Sequence, residues 1–299
     1  MIHDALTIGG RNRMLRIGYI GSTTTPEFDT LVSRKNARIV SIASSNANVQ
    51  SDDDVLHFDS PGDLIRDSEI DAVILALPPR EQIDIARIAA KKKLPILIVP
   101  PIAESADAAA AAIDDLDSVV TCVSRPMRLA VNLVQIRRTV KRFGSEWIRG
   151  RYVGSSSGGR SLVSQAEGII DLLRFVGGGI STVDAVASSA PELVSFAFTF
   201  ESGTRGMVSL VDGWTNGTEY AIDAMTDGRR YRWSNEWNSI TIDGKENRAS
   251  DSKQGQYVAA VAGFLTAVEH NTHSPIVSDF RDAVETMRVV ERFGAVLRK

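Results

Sequence analysis

The stretch from Ile70 to Ala103 has the clearest hydrophobic pattern in the chain. Ala72–Leu77 is a short continuous apolar run, which predicts a strand buried on both faces. Pro78 and Pro79 end this run, and apolar residues spaced three apart then predict a helix. Ile96–Val99 is a second buried run. Strand, helix and strand in this order predict a right-handed parallel crossover, whose functional loops follow the carboxyl ends of the strands.

The same alternation of short apolar runs and helical stripes covers the chain before Arg125. Three more strands and two helices are predicted there: strands at Leu15–Ile20, Arg38–Ala43 and Val119–Val123, a short helix introduced by Ser60–Asp63, and an alanine-rich helix from an N-cap at Ser105 to Leu116. Residues 14–124 are therefore predicted to form an α/β domain with a doubly wound parallel sheet. Residues 1–13 are predicted to be a flexible leader, because they lack the apolar core of a signal peptide.

From Trp147 onward apolar and polar residues alternate, which is typical of antiparallel strands with one covered face. Phe196, Phe198 and Phe200 share one face, and Met207–Val211 follows across a turn. Further strands are predicted at Glu219–Met225, Arg229–Trp233 and Ser239–Ile242. Three helical stripes are predicted: Leu129, Leu133, Ile136 and Val140, ended by Gly144; Val258, Val261, Leu265 and Val268; and Ala283, Met287, Val290 and Leu297, capped by Ser278 or Asp279. Residues 125–299 are therefore predicted to form an α+β domain with a largely antiparallel sheet.

Composition narrows the class of protein. The 299 residues are 43% hydrophobic and 24% charged, as in ordinary globular proteins. A net charge of −3 gives no reason to expect nucleic acid or an anionic membrane as a partner. Cys122 is the only cysteine, which excludes an intrachain disulfide framework and favours a buried structural thiol. No apolar run is long enough to span a bilayer, so we expect a cytoplasmic protein.

The motifs at the strand ends resemble the Gfo/Idh/MocA oxidoreductases. Asp71-Ala72-Val73 and Ala76-Leu77-Pro78-Pro79 match the family's run at this crossover. The resemblance implies a Rossmann-like dinucleotide domain, with Leu77, Pro78 and Pro79 beside the cofactor, followed by a substrate and dimerisation domain. The family's Glu-Lys-Pro triplet reads Val99-Pro100-Pro101 here. Pro100 therefore stands where the family has a lysine that touches nicotinamide and substrate, and proline has no ammonium or backbone N–H to donate.

The loop after the first strand keeps one of three fingerprint glycines. It reads Gly21-Ser22-Thr23-Thr24-Thr25-Pro26, with Thr23 where the second glycine lets phosphate approach the backbone. Two interpretations stay open: hydroxyls of Ser22, Thr23 and Thr24 bind phosphate, or the loop is a capped turn that binds nothing. After the second strand, Ser44 and Ser45 replace the acidic residue typical of NAD enzymes. We therefore expect weak or absent nicotinamide binding, with NADP preferred.

A second motif of the family, D-x-G-x-H-x-x-D-L-L-R, aligns with Ser164–Arg174. Asp171 to Arg174 match, but Gly168 replaces the histidine that the resemblance implies as general acid/base. Gln165 does not titrate and Glu167 lies about 100° around the helix from position 168. The resemblance places Arg125 where the family contacts substrate, and Gln165 and Asp171 are predicted to line the same pocket; the alternative for Asp171 is that it caps the helix or pairs structurally with Arg174. No catalytic residue is assigned.

These losses favour a catalytically redirected or non-catalytic member of the fold that keeps a small-ligand or NAD(P) cleft. The alternative is an NADP-dependent reductase with an unusual mechanism, because biliverdin reductases resemble this chain and also lack the lysine. The histidines are His3, His57, His270 and His273, all outside the predicted cleft, and no metal site is predicted. Trp214, Trp233 and Trp237 cluster in one segment, either as core or as the centre of a homo-oligomer interface through the C-terminal sheet.

Overall fold

The computed structural model describes residues 13–44, 54–67, 69–155, 162–190, 192–213, 217–235, 239–248 and 252–297. The predictions for residues 1–12, Ser45, Trp214 and Trp237 lie outside these residues. The chain divides into two compact units. The first domain comprises the described parts of Met1–Ala103, Asp114–Cys122 and Val261–Ile276, and the second comprises Glu104–Ile113, Val123–Ala260 and Val277–Lys299.

The first sheet is six-stranded and doubly wound. Its strands are β1 Leu15–Gly21, β2 Ala37–Ala43, β3 Leu56–Phe58, β4 Ala72–Ala76, β5 Ile96–Ile98 and β6 Thr121–Val123, in the order β3-β2-β1-β4-β5-β6. The ladders between neighbours from β3 to β5 are parallel. Helices along this part of the chain are α1 Pro26–Val32, α2 Pro61–Asp67, α3 Pro79–Lys91, α4 Ala106–Ala110 and α5 Ile113–Leu116.

The core of the first domain forms because the central strands have no polar face. Ile17 and Tyr19 of β1 and Ile74 of β4 are fully buried. Phe28 of α1 packs edge-on against Tyr19, with ring centroids 4.9 Å apart. Residues from the helix Lys253–His270 (numbered α9 in chain order) complete this core, among them Phe264.

The second domain contains an eight-stranded mixed sheet. Its strands are β7 Trp147–Gly154, β8 Ile180–Ala190, β9 Leu193–Phe200, β10 Arg205–Asp212, β11 Glu219–Thr226, β12 Arg229–Ser234, β13 Ser239–Ile242 and β14 Lys245–Arg248. The order is β14-β13-β12-β11-β7-β10-β9-β8, and only the β7–β10 ladder among those described is parallel. The remaining helices are α6 Val131–Phe143, α7 Leu162–Gln165, α8 Glu167–Gly177, α9, and α10 Phe280–Val296, with a 3₁₀ turn at Pro126–Leu129.

One face of this sheet is covered by helices and builds the second core. Phe196, Phe198 and Phe200 point inward, as their alternation predicts, and Phe293 of α10 lies 4.7 Å from Phe196 between ring centroids. Trp233 is 1% exposed and belongs to the same core, so the core interpretation holds for this tryptophan. The opposite face carries charged pairs.

The predicted fold class is confirmed: a doubly wound parallel sheet is followed by a domain with a largely antiparallel sheet. Two local predictions are wrong in part. Ser105 does cap its helix, because its hydroxyl accepts from the Ala108 N–H at 3.1 Å. The helix does not run to Leu116, however: it breaks after Ala110 into two short helices. The stripe predicted for α10 is only partly right: Asp279 caps the helix, Ala283 is buried and Val290 packs on the core, but Leu297 lies beyond the helix end and is 46% exposed, and the buried Val289 and Phe293 were not predicted.

Candidate functional site

The carboxyl ends of the central parallel strands lie together along one edge of the first sheet. Gly21 of β1 lies opposite Ala76 of β4, and Leu75 lies opposite Ile98 of β5. On the other side of β1, Ile20 pairs with Ala43. The loops that follow these strands carry the predicted cofactor positions: Ser22, Thr23, Thr24, Ser44, Leu77, Pro78, Pro79 and Pro100. The strand order reverses between β1 and β4, which is where open α/β sheets bind ligands.

Gly21 is glycine because β4 approaches it closely. A Cβ at this position would lie 3.0 Å from the Cβ and from the carbonyl oxygen of Ala76. The loop after Gly21 is held by β1, since the buried Tyr19 hydroxyl donates to the Thr23 carbonyl at 2.6 Å. Burial raises the pKa of Tyr19 to about 12, so this donor stays protonated at neutral pH. Thr25 then caps α1 by accepting from the Phe28 N–H at 3.4 Å.

The backbone amides of this loop remain available. Among the described residues, the N–H groups of Ser22, Thr23 and Thr24 make no turn or loop hydrogen bond. The side chains of Thr23 and Thr24 are exposed. Such amides at the end of a central strand fit the pyrophosphate of a dinucleotide, which accepts hydrogen bonds from backbone N–H groups. The residues present therefore fit a nicotinamide dinucleotide, although the capped-turn interpretation is also correct for Thr25.

Gln82 holds the two neighbouring loops together. Its side chain is fully buried; its Oε1 accepts from the Leu77 N–H at 3.0 Å, and its Nε2 donates to the carbonyls of Val99 and Pro101 at 2.9 and 2.8 Å. The loop that contains Pro100 is therefore fixed to the end of β4. A polar residue on the apolar stripe of α3 was the signal in the sequence, and sequence reasoning missed it.

Two features of the same edge oppose an anionic ligand. Glu27, in the first turn of α1, is 2% exposed, and Asp29 lies two residues later in the same turn. Both carboxylates lie within a few residues of the loop that would hold phosphate. Ser44 directly follows β2, and Ser45 lies outside the described residues.

In the second domain the predicted pocket residue Asp171 is the centre of a buried ionic network. Its carboxylate accepts from Arg128 through two bonds of 2.9 and 2.7 Å and from the Thr286 hydroxyl at 3.2 Å. Its side chain is 2% exposed. Burial is the largest influence and raises the pKa of Asp171, but Arg125, Arg128 and the hydrogen bonds together outweigh it and lower the pKa.

The prediction that Asp171 pairs with Arg174 is wrong. Arg174 instead bonds the Thr286 hydroxyl at 2.6 Å and pairs with Asp282 at 3.2 Å. Arg128, three residues after Arg125 and not singled out from the sequence, is the partner of Asp171. It also pairs with Asp282 at 2.7 Å.

Arg125 lies at the edge of this network. It pairs with Glu167 and approaches Asp171 at 3.5 Å, and its side chain is 9% exposed. Its guanidinium pKa is raised: burial acts to lower it, but Glu167 and Asp171 outweigh burial. Arg125 is thus a permanently charged, positioned group, whereas the buried Asp171 acts by holding it.

Gly168 is in contact with a tyrosine that sequence reasoning also missed. A Cβ at position 168 would lie 2.8, 2.9 and 3.0 Å from Cε1, Oη and Cζ of Tyr220. The Tyr220 phenol therefore fills the space that a side chain on this turn of α8 would need. Its ring packs on Tyr152 at 5.6 Å, and the Tyr152 hydroxyl lies 3.5 Å from Oε1 of Gln165. Gln165 and Arg125 are thus neighbours of one phenolic cluster.

Tyr220 is fixed and protonated. Asn235 accepts from the Tyr220 N–H at 2.7 Å and its own N–H donates to the Tyr220 carbonyl at 3.1 Å. Burial, followed by Tyr152, raises the pKa of Tyr220 to about 12, against the opposing effect of Arg125. At neutral pH this phenol is a hydrogen-bond donor.

The described residues contain no cluster of three or more histidine, cysteine, aspartate or glutamate side chains able to hold a metal ion. Within the same residues no helix has the length and hydropathy needed to cross a bilayer. Cys122 is buried, as expected.

Comparison with known families and structures assigns the fold. Residues 13–124 match the oxidoreductase family with an NAD-binding Rossmann fold known as Gfo/Idh/MocA. The first domain is of the Gfo/Idh/MocA type. A search of curated proteins by sequence found no match. The matched residues include the Gly21 loop and Gln82.

Solved structures extend the likeness to the whole chain. A UDP-N-acetylglucosamine 3-dehydrogenase from Acidithiobacillus ferrooxidans is 16% identical, with a TM-score of 0.79 over 94% of this chain and 97% of that one. A dehydrogenase from Chromobacterium violaceum is 17% identical, with a TM-score of 0.80 over 95% of both chains. Levoglucosan dehydrogenase, in complex with NADH and L-sorbose, is 15% identical, with a TM-score of 0.80 over 96% and 97%. At these identities the likeness establishes the fold.

Proposed function

We propose that this chain is a nicotinamide-binding protein of the oxidoreductase fold whose chemistry has been redirected away from a lysine and histidine pair. The observation that carries the proposal is the loop of Ser22 to Thr24, whose N–H groups have no partner among the described residues at the end of β1. A nicotinamide cofactor supplies a hydride, or accepts one, when bound. The Gfo/Idh/MocA-type domain supports the cofactor class.

The binding is proposed to be weak, with NADP preferred. The exposed Thr23 side chain stands where phosphate would meet the backbone, and Glu27 and Asp29 add negative charge near the same loop. Loss of one or two charge-assisted hydrogen bonds, each about 1.5–3 kcal/mol, would weaken affinity about tenfold to several thousandfold. Ser44 gives the direction of the preference, because a serine does not repel a 2′-phosphate as an acidic residue does.

The second domain would bind the small-molecule ligand. Arg125 presents a fixed guanidinium whose charge Glu167 and Asp171 balance, Gln165 an amide, and Tyr220 a protonated phenol. Asp171 is proposed to position Arg125 rather than to touch the ligand. These groups suit the oxygen atoms of a sugar-like or carbonyl compound, and solved dehydrogenases of sugar compounds with the same fold support that class.

A second candidate function is a non-catalytic ligand-binding protein. The acidic first turn of α1, which contains Glu27 and Asp29 and directly follows the loop, favours it, because acidic residues there disfavour a pyrophosphate. We also propose a homo-oligomer through the outer face of the second sheet, where Met207 and Leu193 are 38% and 42% exposed. Light scattering coupled to size-exclusion chromatography tests this: a monomer at all concentrations would contradict it.

Thr23→Gly is expected to raise NADPH affinity about tenfold or more, because it lets phosphate reach the loop amides. Titration followed by the fluorescence of the reduced nicotinamide measures both proteins. Thr23→Ser, which keeps a side chain and a hydroxyl at position 23, is the matched control and should change affinity less than about threefold. Equal affinity of Thr23→Gly and the parent protein would contradict the explanation for weak binding, and no binding to either would favour the non-catalytic function.

A further inference from the structure

A cavity of about 790 Å³ lies in the second domain where α6 and α8 end. Four cationic side chains line it, Arg128, Arg137, Lys141 and Arg174, together with the carboxylates of Glu146, Asp227 and Asp282. Its size is within the range of small-molecule sites in proteins. It lies apart from Gln165 and Tyr220, which do not line it.

Two of these cations are already neutralised. Arg128 binds Asp171 and Asp282, and Arg174 shares Asp282 at 3.2 Å. With Arg125 and Glu167, the network contains three guanidinium groups and three carboxylates. It therefore contributes no net charge to the cavity. The other charged side chains of the wall are Arg137 and Lys141, and Glu146 and Asp227; the two carboxylates are exposed to solvent, which screens them, whereas Arg137 is half-buried.

Arg137 forms no salt bridge with a carboxylate among the described residues, and neither does Lys141. Its guanidinium stacks on the Phe175 ring at 4.3 Å, and its Nε donates to the Phe175 carbonyl at 2.9 Å. Among the described residues no carboxylate lies within 4.0 Å of it, and its two terminal nitrogens have no hydrogen-bond partner. Burial, and then repulsion from Arg128, lower the pKa of Arg137. The fold thus holds a half-buried fork of donors in place without an acceptor.

Lys141 adds a second charge one helical turn further along α6. Residues four apart on a helix lie on the same face, so Arg137 and Lys141 line the cavity together. The carbonyl ends of α6 and α8 would oppose an anion. One carbonyl in each last turn is satisfied, since the Gly144 N–H donates to Val140 at 2.8 Å and the Gly178 N–H to Arg174 at 2.9 Å, and the Phe175 carbonyl accepts from Arg137.

We propose that this cavity binds the phosphate group of a small molecule, held by the fork of Arg137 and by Lys141. Planar guanidinium groups recognise phosphate through paired hydrogen bonds, and the stacked Arg137 has its fork oriented in advance. The site is independent of the nicotinamide cofactor proposed for the first domain. The ligand of this site carries a phosphate group, either as a phosphate ester or as the free anion.

Calorimetric titration with inorganic pyrophosphate and with phosphate, at constant ionic strength, tests the site on the full chain. Pyrophosphate is expected to bind more tightly than phosphate, and chloride should not compete. Arg137→Gln should weaken pyrophosphate binding about tenfold or more, since it removes the charge and the fork. Arg138→Gln, at the exposed neighbouring position on α6, is the matched control and should leave affinity within twofold.

If Arg137→Gln does not fold by circular dichroism, the exposed Lys141→Gln carries the same test, with a loss of about threefold or more expected. No pyrophosphate binding at about 20 mM would overturn the site, as would equal losses in Arg137→Gln and Arg138→Gln. A glycerol phosphate that binds more tightly than phosphate would assign the site to phosphate esters. Tighter binding of the free anion would assign it to inorganic phosphate. NADPH that displaces pyrophosphate would contradict independence from the cofactor.

Discussion

Replacing Asp171 by alanine is expected to destabilise the second domain by about 3–5 kcal/mol. The substitution leaves Arg128, whose side chain is 4% exposed, without the carboxylate that accepts two of its bonds. It also removes the acceptor of the Thr286 hydroxyl. All four tryptophans lie between residues 147 and 237, so tryptophan fluorescence during urea unfolding reports on this domain.

Two comparisons make the Asp171 result specific. Glu285→Ala breaks an exposed pair with Arg288 in the same domain and should cost no more than about 0.5 kcal/mol. Because the pKa of Asp171 is lowered in the folded protein, its stabilisation is present above the unfolded value of about 3.9. It is lost as pH falls through the folded pKa, so the difference between parent and variant should shrink below about pH 4. A loss below about 1 kcal/mol at pH 7 would show that the network is not stabilising.

Gly168→His is expected to destabilise the second domain by about 1–3 kcal/mol rather than to restore an acid/base group. Its Cβ would lie within 3.0 Å of the Tyr220 side chain, whose ring packs on Tyr152 and whose backbone is bonded to Asn235. Adding Tyr220→Ala should recover part of the loss, giving a coupling energy of about 1–3 kcal/mol in a double-mutant cycle. The double variant Pro100→Lys, Gly168→His therefore should not gain strong sugar dehydrogenase activity.

Gly217→Ala is the control for this cycle. A Cβ there meets no atom of the described residues within 4 Å, so stability should change by no more than about 0.5 kcal/mol. Urea unfolding followed by tryptophan fluorescence measures all five proteins: the parent, the two single variants, the double variant and the control. Additive losses for Gly168→His and Tyr220→Ala would contradict the proposed contact, and robust sugar oxidation by the Pro100→Lys, Gly168→His variant would contradict the redirected chemistry.

Local periodicity accounts for the parts of the fold that were predicted correctly. The strand Ala72–Ala76, helix Pro79–Lys91 and strand Ile96–Ile98 are each specified by neighbours a few residues away, and prolines fix their ends. Ser105 was correctly predicted as a cap, because capping also depends on only three residues. The break after Ala110 was not predictable from an alanine-rich run that has high helix propensity throughout.

The site was less predictable, because its contacts join distant parts of the chain. Asp171 and Arg128 are 43 residues apart, and nothing in the helix containing Asp171 distinguishes that partner from the nearby Arg174. Tyr220 meets Gly168 from another strand, so the sequence indicates a missing side chain at 168 without indicating what fills the space. Gln82 was the exception: a glutamine on an apolar helical stripe signals a buried polar role.

Hydrogen–deuterium exchange of the parent protein with and without a saturating concentration of NADPH tests the central claim most directly, because it locates the cofactor as well as detecting it. The N–H groups of Ser22 to Thr24 have no intramolecular partner among the described residues and should exchange fast in the free protein. We predict that NADPH slows exchange in the peptide containing these residues, that NADH at the same concentration slows it less, and that the peptide of β14 is unaffected. Unchanged exchange at Ser22 to Thr24 with NADPH bound, or protection only in the second domain, would contradict the account.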